Sequence, residues 1–404
     1  MASNVDICIR GGGVVGSTLA LLLSRLNLSV ALVSSAAAAQ PSKTADIRAY
    51  ALNAKSRSIL ESINAWPDDA FCTEVQHMRV HSDEGERIEF SNQEKRTKDT
   101  KPLSWIVEVS ALEAKLAQTL ESSRVQRLSY NPDADHEPIN APLSVICEGA
   151  KSSSKLQLHT LSERYPYAQN ALATHVKLKS LNGVKHSHSG IAYQWFNTPK
   201  TLNQTSTDEL EILALLPIGG NDGDTFAVVW STSPARNKEL NALPNQKFTE
   251  SLSLSTGGLF QELTLAADRQ SWPLYHTSTQ AWCGTFNARE SWILCGDSAH
   301  AMHPLAGMGF NLGLGDASAL YELLLERERN TSWRSLNDLR MLKTYERQRK
   351  LSVYPFVQFV DKVQRLFASD YPLAGLIRNK GFKTFNSFGT LKEWTIRKAM
   401  QISS

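Results

Sequence analysis

No apolar run in the chain approaches the roughly 18 residues that a membrane-spanning helix needs, which excludes a helical transmembrane anchor. Asp6 interrupts any signal-peptide-like apolar stretch near the start, so no secretory leader is expected and a cytoplasmic location is. Cysteine is sparse: Cys8, Cys72, Cys147, Cys283 and Cys295 form no C-x-x-C pair and lie in apolar strand contexts, which predicts buried, reduced thiols. Zinc-finger spacing, RNP-like aromatic runs and repeat periods are missing, so nothing supports nucleic-acid recognition. Missing too are a Walker loop, a serine nucleophile elbow and a paired-carboxylate site. Low complexity is confined to residues 36–39, and the polar stretch 131–136 reads as a loop.

What is present suits a globular enzyme. At 404 residues and 42% hydrophobic content, the chain can bury two domain cores and still leave a tail. Its net charge of +3 conceals an asymmetry: residues 346–404 hold 11 Lys/Arg against 4 Asp/Glu, which leaves the remainder acidic. Within this tail Val353, Phe356, Val357, Val360, Val363 and Phe367 recur at helical spacing. A helix packed on the cofactor domain with a solvated basic face accounts for the pattern. A surface for a partner protein of a biosynthetic complex, or peripheral contact with an anionic membrane, accounts for it as well.

Near the start, Val5-Asp6-Ile7-Cys8-Ile9-Arg10 reads as a strand and runs straight into Gly11-Gly12-Gly13-Val14-Val15-Gly16. Leu19, Leu22, Leu23 and Leu26 then mark a helix, and Ser29-Val30-Ala31-Leu32-Val33 a second strand. A G-x-G-x-x-G run between strand and helix is a dinucleotide fingerprint: Gly11 for the tight turn, Gly13 for approach of a pyrophosphate, Gly16 for helix packing. The positive end of the helix faces the phosphates. An acidic residue is expected about 20 residues into such a unit to grip the ribose. Ser34 and Ser35 stand there instead.

A second dense segment spans residues 296–316: Gly296-Asp297-Ser298-Ala299-His300-Ala301-Met302-His303-Pro304, then Gly307, Gly309, Phe310, Asn311, Gly313, Gly315 and Asp316. The strand-like Ser291-Trp292-Ile293-Leu294-Cys295 enters it and a helical pattern leaves it. Closely spaced glycines before a helix start suit a backbone that turns sharply against a flat, electron-rich ligand. His300 and His303 either satisfy polar groups in the turn or border a site. No third ligand accompanies them and no metal is expected.

Between these segments, candidate strands cover 78–81, 87–90, 174–178, 190–196, 211–216 and 225–231, separated by Gly-, Asn-, Asp- and Lys-rich turns. Strands placed between two cofactor segments predict one domain inserted into another, with a pocket at the junction. Tyr193, Trp195, Leu216 and Pro217 are candidates for that pocket, although core positions are the commoner fate of such side chains.

Further segments complete a pattern. Asp46-Ile47-Arg48-Ala49-Tyr50-Ala51-Leu52-Asn53 is followed by Ser56, Leu60 and Trp66, and Ile106-Val107-Glu108 by Leu112. Cys147-Glu148-Gly149-Ala150-Lys151-Ser152 precedes Lys155; Tyr167, Gln169 and Ala171 precede Leu215-Leu216-Pro217 and Trp230. Over nearly its whole length the chain resembles the FAD-dependent aromatic hydroxylases of the para-hydroxybenzoate hydroxylase type, and within them the ubiquinone-biosynthesis hydroxylases. Residues 296–316 are most similar to that family's pattern.

The resemblance implies an α/β fold: a Rossmann-like FAD-binding domain with an inserted α+β substrate domain built on an antiparallel sheet, plus a C-terminal helical segment. The FAD-binding parts are expected at 1–75, 96–172 and 276–345, the substrate parts at 76–95 and 173–275, and the basic helical segment at 346–404. It further implies that Gly11, Gly13, Val15, Gly16, Ser34, Arg48, Glu108, Asp297, Gly307, Gly309, Phe310 and Asn311 contact FAD. Asp297 would meet the ribityl chain, and the backbone of 307–311 the N1 and C2 carbonyl edge of the ring. His303 and Pro304 would border the ring where substrate approaches.

The implied activity is hydroxylation of a polyprenylated phenol in ubiquinone biosynthesis, with O2, through a flavin C4a-hydroperoxide. NAD(P)H would visit the same flavin, since only one dinucleotide fingerprint occurs. Several positions depart from the family pattern: Glu148 replaces Asp, a longer arm expected to overshoot its partners, and Val109 and Met308 replace amides. With Ser34 they leave open an alternative, a catalytically weakened or flavin-poor subunit of a biosynthetic complex. A prenyl reductase or epoxidase is a more remote one.

Overall fold

The computed structural model describes residues 4–35, 46–82, 87–91, 102–130, 139–158, 160–179, 188–197, 210–219, 223–302 and 309–367. One sheet orders its strands as Cys283–Thr285, Ser291–Leu294, Leu143–Ile146, Ile7–Arg10, Val30–Ser35 and Gln126–Tyr130. All its pairings are parallel except the hairpin of the first two. Parallel strands covered on both faces carry unbroken apolar runs, and Leu143–Ile146 and Ser291–Leu294 are buried at every position. Helix Val14–Leu23 connects the first two parallel strands and is buried except at Val15. The βαβ unit read from the sequence is therefore present.

The larger sheet has nine strands and holds every strand anticipated in the middle of the chain. Its order is His300–Ala301, Gln270–Thr279, Ser162–Leu178, Thr225–Thr232, Glu211–Ile218, Ile191–Asn197, His77–Ser82 and Arg87–Ser91, with Leu263–Leu265 pairing Ser162–Leu178. Pairing is antiparallel apart from His77–Ser82 against Ile191–Asn197. Strand alternation sends Tyr193, Trp195, Leu213, Leu215, Phe226, Val228 and Trp230 to one face, which Phe248, Leu252 and Phe260 close. The opposite face, with Ala192, Ile218 and Ala227, meets Ala49, Val75 and Ile106 of a third sheet, formed by Ala49–Leu52, Ser104–Glu108 and Cys72–Val75.

This corrects the pocket expectation. Tyr193 and Trp195 belong to the outer core, and Pro217, paired with Phe226, shares that face. Leu216 alone of the four lies on the inner face.

Two strands cross the expected domain seams. Ser162–Leu178 continues through 172/173 with one irregularity between Pro166 and Asn170, and Gln270–Thr279 continues through 275/276. The two pair with each other on both sides of the irregularity. The expected boundary at 75/76 falls between strands of different sheets. That at 95/96 lies outside the described residues.

The boundary at 345/346 falls inside helix Leu339–Phe367. Met341, Leu342 and Tyr345 belong to the core around the parallel sheet, while Val353 and Val357 pack with Trp282 and Trp292. The side chains of Val360, Val363 and Phe367, and residues 368–404, lie outside the described set. All five cysteines are buried and free.

Glu346 fastens this helix to the sheet. It accepts hydrogen bonds from the Trp282 amide at 2.9 Å and from Lys350 Nζ at 2.6 Å, and Lys343 also donates to it. Burial alone would raise its pKa, but these donors outweigh that and bring it down to about 2 from 4.5. A depressed carboxylate contributes stability above its unfolded pKa and loses it as pH falls through the folded value. We therefore expect Glu346→Gln to cost a few kcal/mol at neutral pH, of order ~2, and the difference to vanish towards pH 2, as read by urea unfolding across pH.

Candidate functional site

The glycine loop is shaped by close contact. Gly11 has φ +112° and would place a Cβ 2.4 Å from the Cys147 carbonyl oxygen, so no other residue fits that turn. A Cβ on Gly16 would stand 1.9 Å from the Gly11 carbonyl oxygen. Gly16 thus lets the loop close on its own helix, beyond the helix packing expected of it. Gly13 has nothing within 4 Å of its Cβ direction. It is the N-cap of helix Val14–Leu23, and among the described residues no side chain caps the helix start. Ser34 Cβ lies 2.8 Å from the Cβ direction of Gly12, which sets the second strand's end beside the loop.

Other segments converge on the same space. Val15 packs towards Gly296 and Gly313, whose Cβ positions would fall 3.4 and 2.9 Å from its Cγ2. Small residues at both points bring the two glycine segments together. Asp297 follows Gly296, which has φ +63°. It is exposed, yet the surrounding protein raises its pKa chiefly by desolvation; His300, Arg48 and Lys155 oppose the rise and Asp316 adds to it. An exposed but desolvated carboxyl lines a cleft rather than a convex surface.

Arg48 is anchored by Asp46, whose Oδ1 accepts from Nε at 2.9 Å, and its guanidinium lies 5.9 Å from the Tyr50 ring centroid. Tyr50 stacks on Phe310 with centroids 4.3 Å apart and planes 12° apart. Desolvation pushes the Tyr50 phenol up to about 12, with Arg48 opposing. Glu108 pairs with Ala49 across the small sheet, and burial raises its pKa, partly countered by His175. His175 Nε2 in turn lies 2.7 Å from the Ile47 carbonyl oxygen, tying the large sheet to the Arg48 segment.

The Asn311 side chain serves the protein itself. Its Oδ1 accepts from the Asn53 amide at 2.9 Å and the Ser56 hydroxyl at 2.8 Å, and its Nδ2 donates to the Ala51 carbonyl at 2.7 Å. This pins the helix start to the Ala51–Ser56 turn. Glu148 departs from its expectation. Its carboxylate accepts from Ser152 Oγ at 2.7 Å, Ser154 N at 3.0 Å and Ser154 Oγ at 2.7 Å, so the longer arm reaches a full set of partners within its own loop.

The inner face of the large sheet carries a further set of less buried positions. His175, Ala214, Leu216 and Val229 are only half-buried although they sit on interior strands. Ala173, Val229 and Ala214 form one cross-strand row of apolar side chains on this face. Sequence reasoning missed this row, as well as Asp316 and Arg349 beneath the Gly296 turn. His303, Pro304 and Gly307 lie outside the described residues, as does Met308.

Residues 4–360 match the model of the family described as FAD binding domain. The chain belongs to that family. Its enzymes are FAD-dependent monooxygenases, with NAD(P)H as reductant. It is 26% identical to 3-demethoxyubiquinol 3-hydroxylase of Escherichia coli strain K12, covering 98% of each chain. It is 27% identical to ubiquinone hydroxylase UbiL of Rhodospirillum rubrum over 98% of this chain and 89% of that one. Among solved structures, p-nitrophenol 4-monooxygenase PnpA from Pseudomonas putida DLL-E4 superposes with a TM-score of 0.71 at 15% identity, covering 100% of both chains. PqsL of P. aeruginosa, in complex with 2-aminobenzoylacetate, gives 0.68 at 17% identity over 93% of this chain and 100% of that one. These likenesses establish the fold.

The strand–glycine turn–helix geometry at Gly11–Gly16 is the arrangement that dinucleotide-binding folds share. Because Asn311 makes two buried hydrogen bonds and one part-buried one, Asn311→Ala should cost roughly 2–4 kcal/mol of stability. Urea unfolding of the two proteins reads this directly; a loss below experimental error would remove the clamp assigned to it.

Proposed function

We propose that the chain hydroxylates the aromatic ring of a polyprenylated phenol in ubiquinone biosynthesis, using FAD, NAD(P)H and O2. The observation that carries this reading is that Asp297 and the Tyr50–Phe310 stack stand in one neighbourhood, whose Ile47–Tyr50 segment His175 ties to the large sheet. The names of the curated relatives give it the substrate class. Bound FAD, once reduced, would supply the activated oxygen that an electron-rich ring accepts.

The chain's own residues then have separable tasks. Gly11, Gly13, Val15 and Gly16 would hold the pyrophosphate at the first helix start, with Ser34 near the ribose. Asp297 would bind the ribityl hydroxyls, and Arg48 and Glu108 would flank the cofactor. Amides of Gly307, Gly309, Phe310 and Asn311 at a helix start would favour negative charge on the reduced ring. His303 and Pro304 would border the substrate. The apolar floor of Ala173, Ala214, Leu216 and Val229 would seat the aromatic ring and keep water away from the reacting carbon.

The purified protein should be yellow and release FAD on denaturation. A colourless protein that cannot be reconstituted would sink this proposal in favour of a flavin-poor subunit. A prenylated phenol should accelerate NADPH oxidation and acquire label from isotopic O2. Asp297→Ala should carry less flavin than His303→Ala; equal occupancy counts against the role given to Asp297. Ala214→Leu should keep its FAD while kcat/KM for the phenol falls at least about tenfold, since it fills the floor. Unchanged kinetics in that variant would remove the substrate from this face.

A further inference from the structure

Asp316 lies within helix Gly309–Asn330 and its side chain is fully buried. A carboxylate taken wholly out of water persists only with partners, and those of Asp316 come from other segments. Oδ2 accepts from the Gly296 amide at 2.8 Å and lies 2.7 Å from His300 Nε2. Oδ1 accepts from Arg349 Nε at 2.6 Å, and Arg349 Nη2 also donates to the Leu312 carbonyl at 3.2 Å. Two glycines make room for this arrangement. A Cβ on Gly315 would meet Arg349 Nη2 at 3.1 Å, and one on Gly313 would fall 3.4 Å from Gly296 Cα.

The carboxylate thus joins the C-terminal helix to the turn that presents Asp297. We propose that Arg349 is a positioning residue for the flavin: through Asp316 it holds the Gly296–Asp297 turn, so that docking of helix Leu339–Phe367 and occupation of the FAD site are coupled. The inference rests on Asp297 being a flavin contact. Without Arg349 the buried Asp316 charge keeps only the Gly296 amide and His300. Its carboxylate then turns towards other donors, and the bond that fixes Gly296 weakens. Linkage makes the effect reciprocal: FAD binding must strengthen helix docking by the same factor.

The test titrates apo-protein with FAD, followed by flavin fluorescence, and measures the flavin midpoint potential of each loaded protein. Arg349→Met should raise the FAD Kd by roughly tenfold or more, within the range for coupled sites, and shift the potential to more negative values, since an unbalanced carboxylate opposes the anionic reduced ring. The double variant Arg349→Met/Asp316→Asn removes both charges and should recover most of the potential, which a role in packing alone would not do. Arg349→Lys should fall between wild type and Arg349→Met.

A folded Arg349→Met protein with wild-type Kd and potential overturns the coupling while leaving the flavin reading intact. A wild-type protein that takes up no FAD overturns both. Should Arg349→Met fail to fold, hydrogen exchange on the wild type decides. FAD should slow exchange across residues 339–357, and no FAD-dependent protection there overturns the proposal.

Discussion

The buried Asp316 carboxylate is the constraint on which the cofactor side of the molecule depends. One oxygen serves the turn at Gly296 and the ring of His300, the other the guanidinium of Arg349. A charge in that position would be very costly alone, so three segments distant in sequence must arrive together for any of them to be stable there. The glycines at 313 and 315 follow from the same requirement, because side chains at these points would keep the partners apart. Glycine weakens a helix interior, and here the close approach outweighs that cost.

A second clamp works beside the first. Asn311 ties the start of the same helix to the Ala51–Ser56 turn, while Phe310 stacks on Tyr50 just before it. Between them the two clamps fix helix Gly309–Asn330 against the Gly296 turn, helix Leu339–Phe367 and the Ala51–Ser56 turn that follows Arg48. The cleft is therefore shaped by side chains that face away from it. Residues that face into it, such as Asp297 and Ala214, inherit their positions from this hidden layer.

What the sequence could reveal follows from how local each determinant is. The βαβ unit was legible because Gly11 must adopt a left-handed φ and Gly16 must lack a Cβ, requirements that leave a mark at fixed spacing. Strands of the large sheet were legible from alternation, but alternation does not say which of two faces is covered, and so Tyr193 and Trp195 could not be assigned. Glu148 was misjudged because the reach of a side chain depends on how its loop folds back, which brings Ser152 and Ser154 to it. Arg349 could not be paired with Asp316 from spacing alone. Two signals pointed that way: glycines inside a helical run, and an arginine between Tyr345 and Val353 on one apolar stripe.

The strands Ser162–Leu178 and Gln270–Thr279 both lie in the nine-stranded sheet and are hydrogen-bonded to each other on either side of the irregularity between Pro166 and Asn170. A ladder of this kind resists bending far more than a single-stranded linker does. The sequence around 172/173 and 275/276 therefore does not act as a hinge. Any rearrangement on this side of the molecule must fall at the ends of that ladder rather than within it.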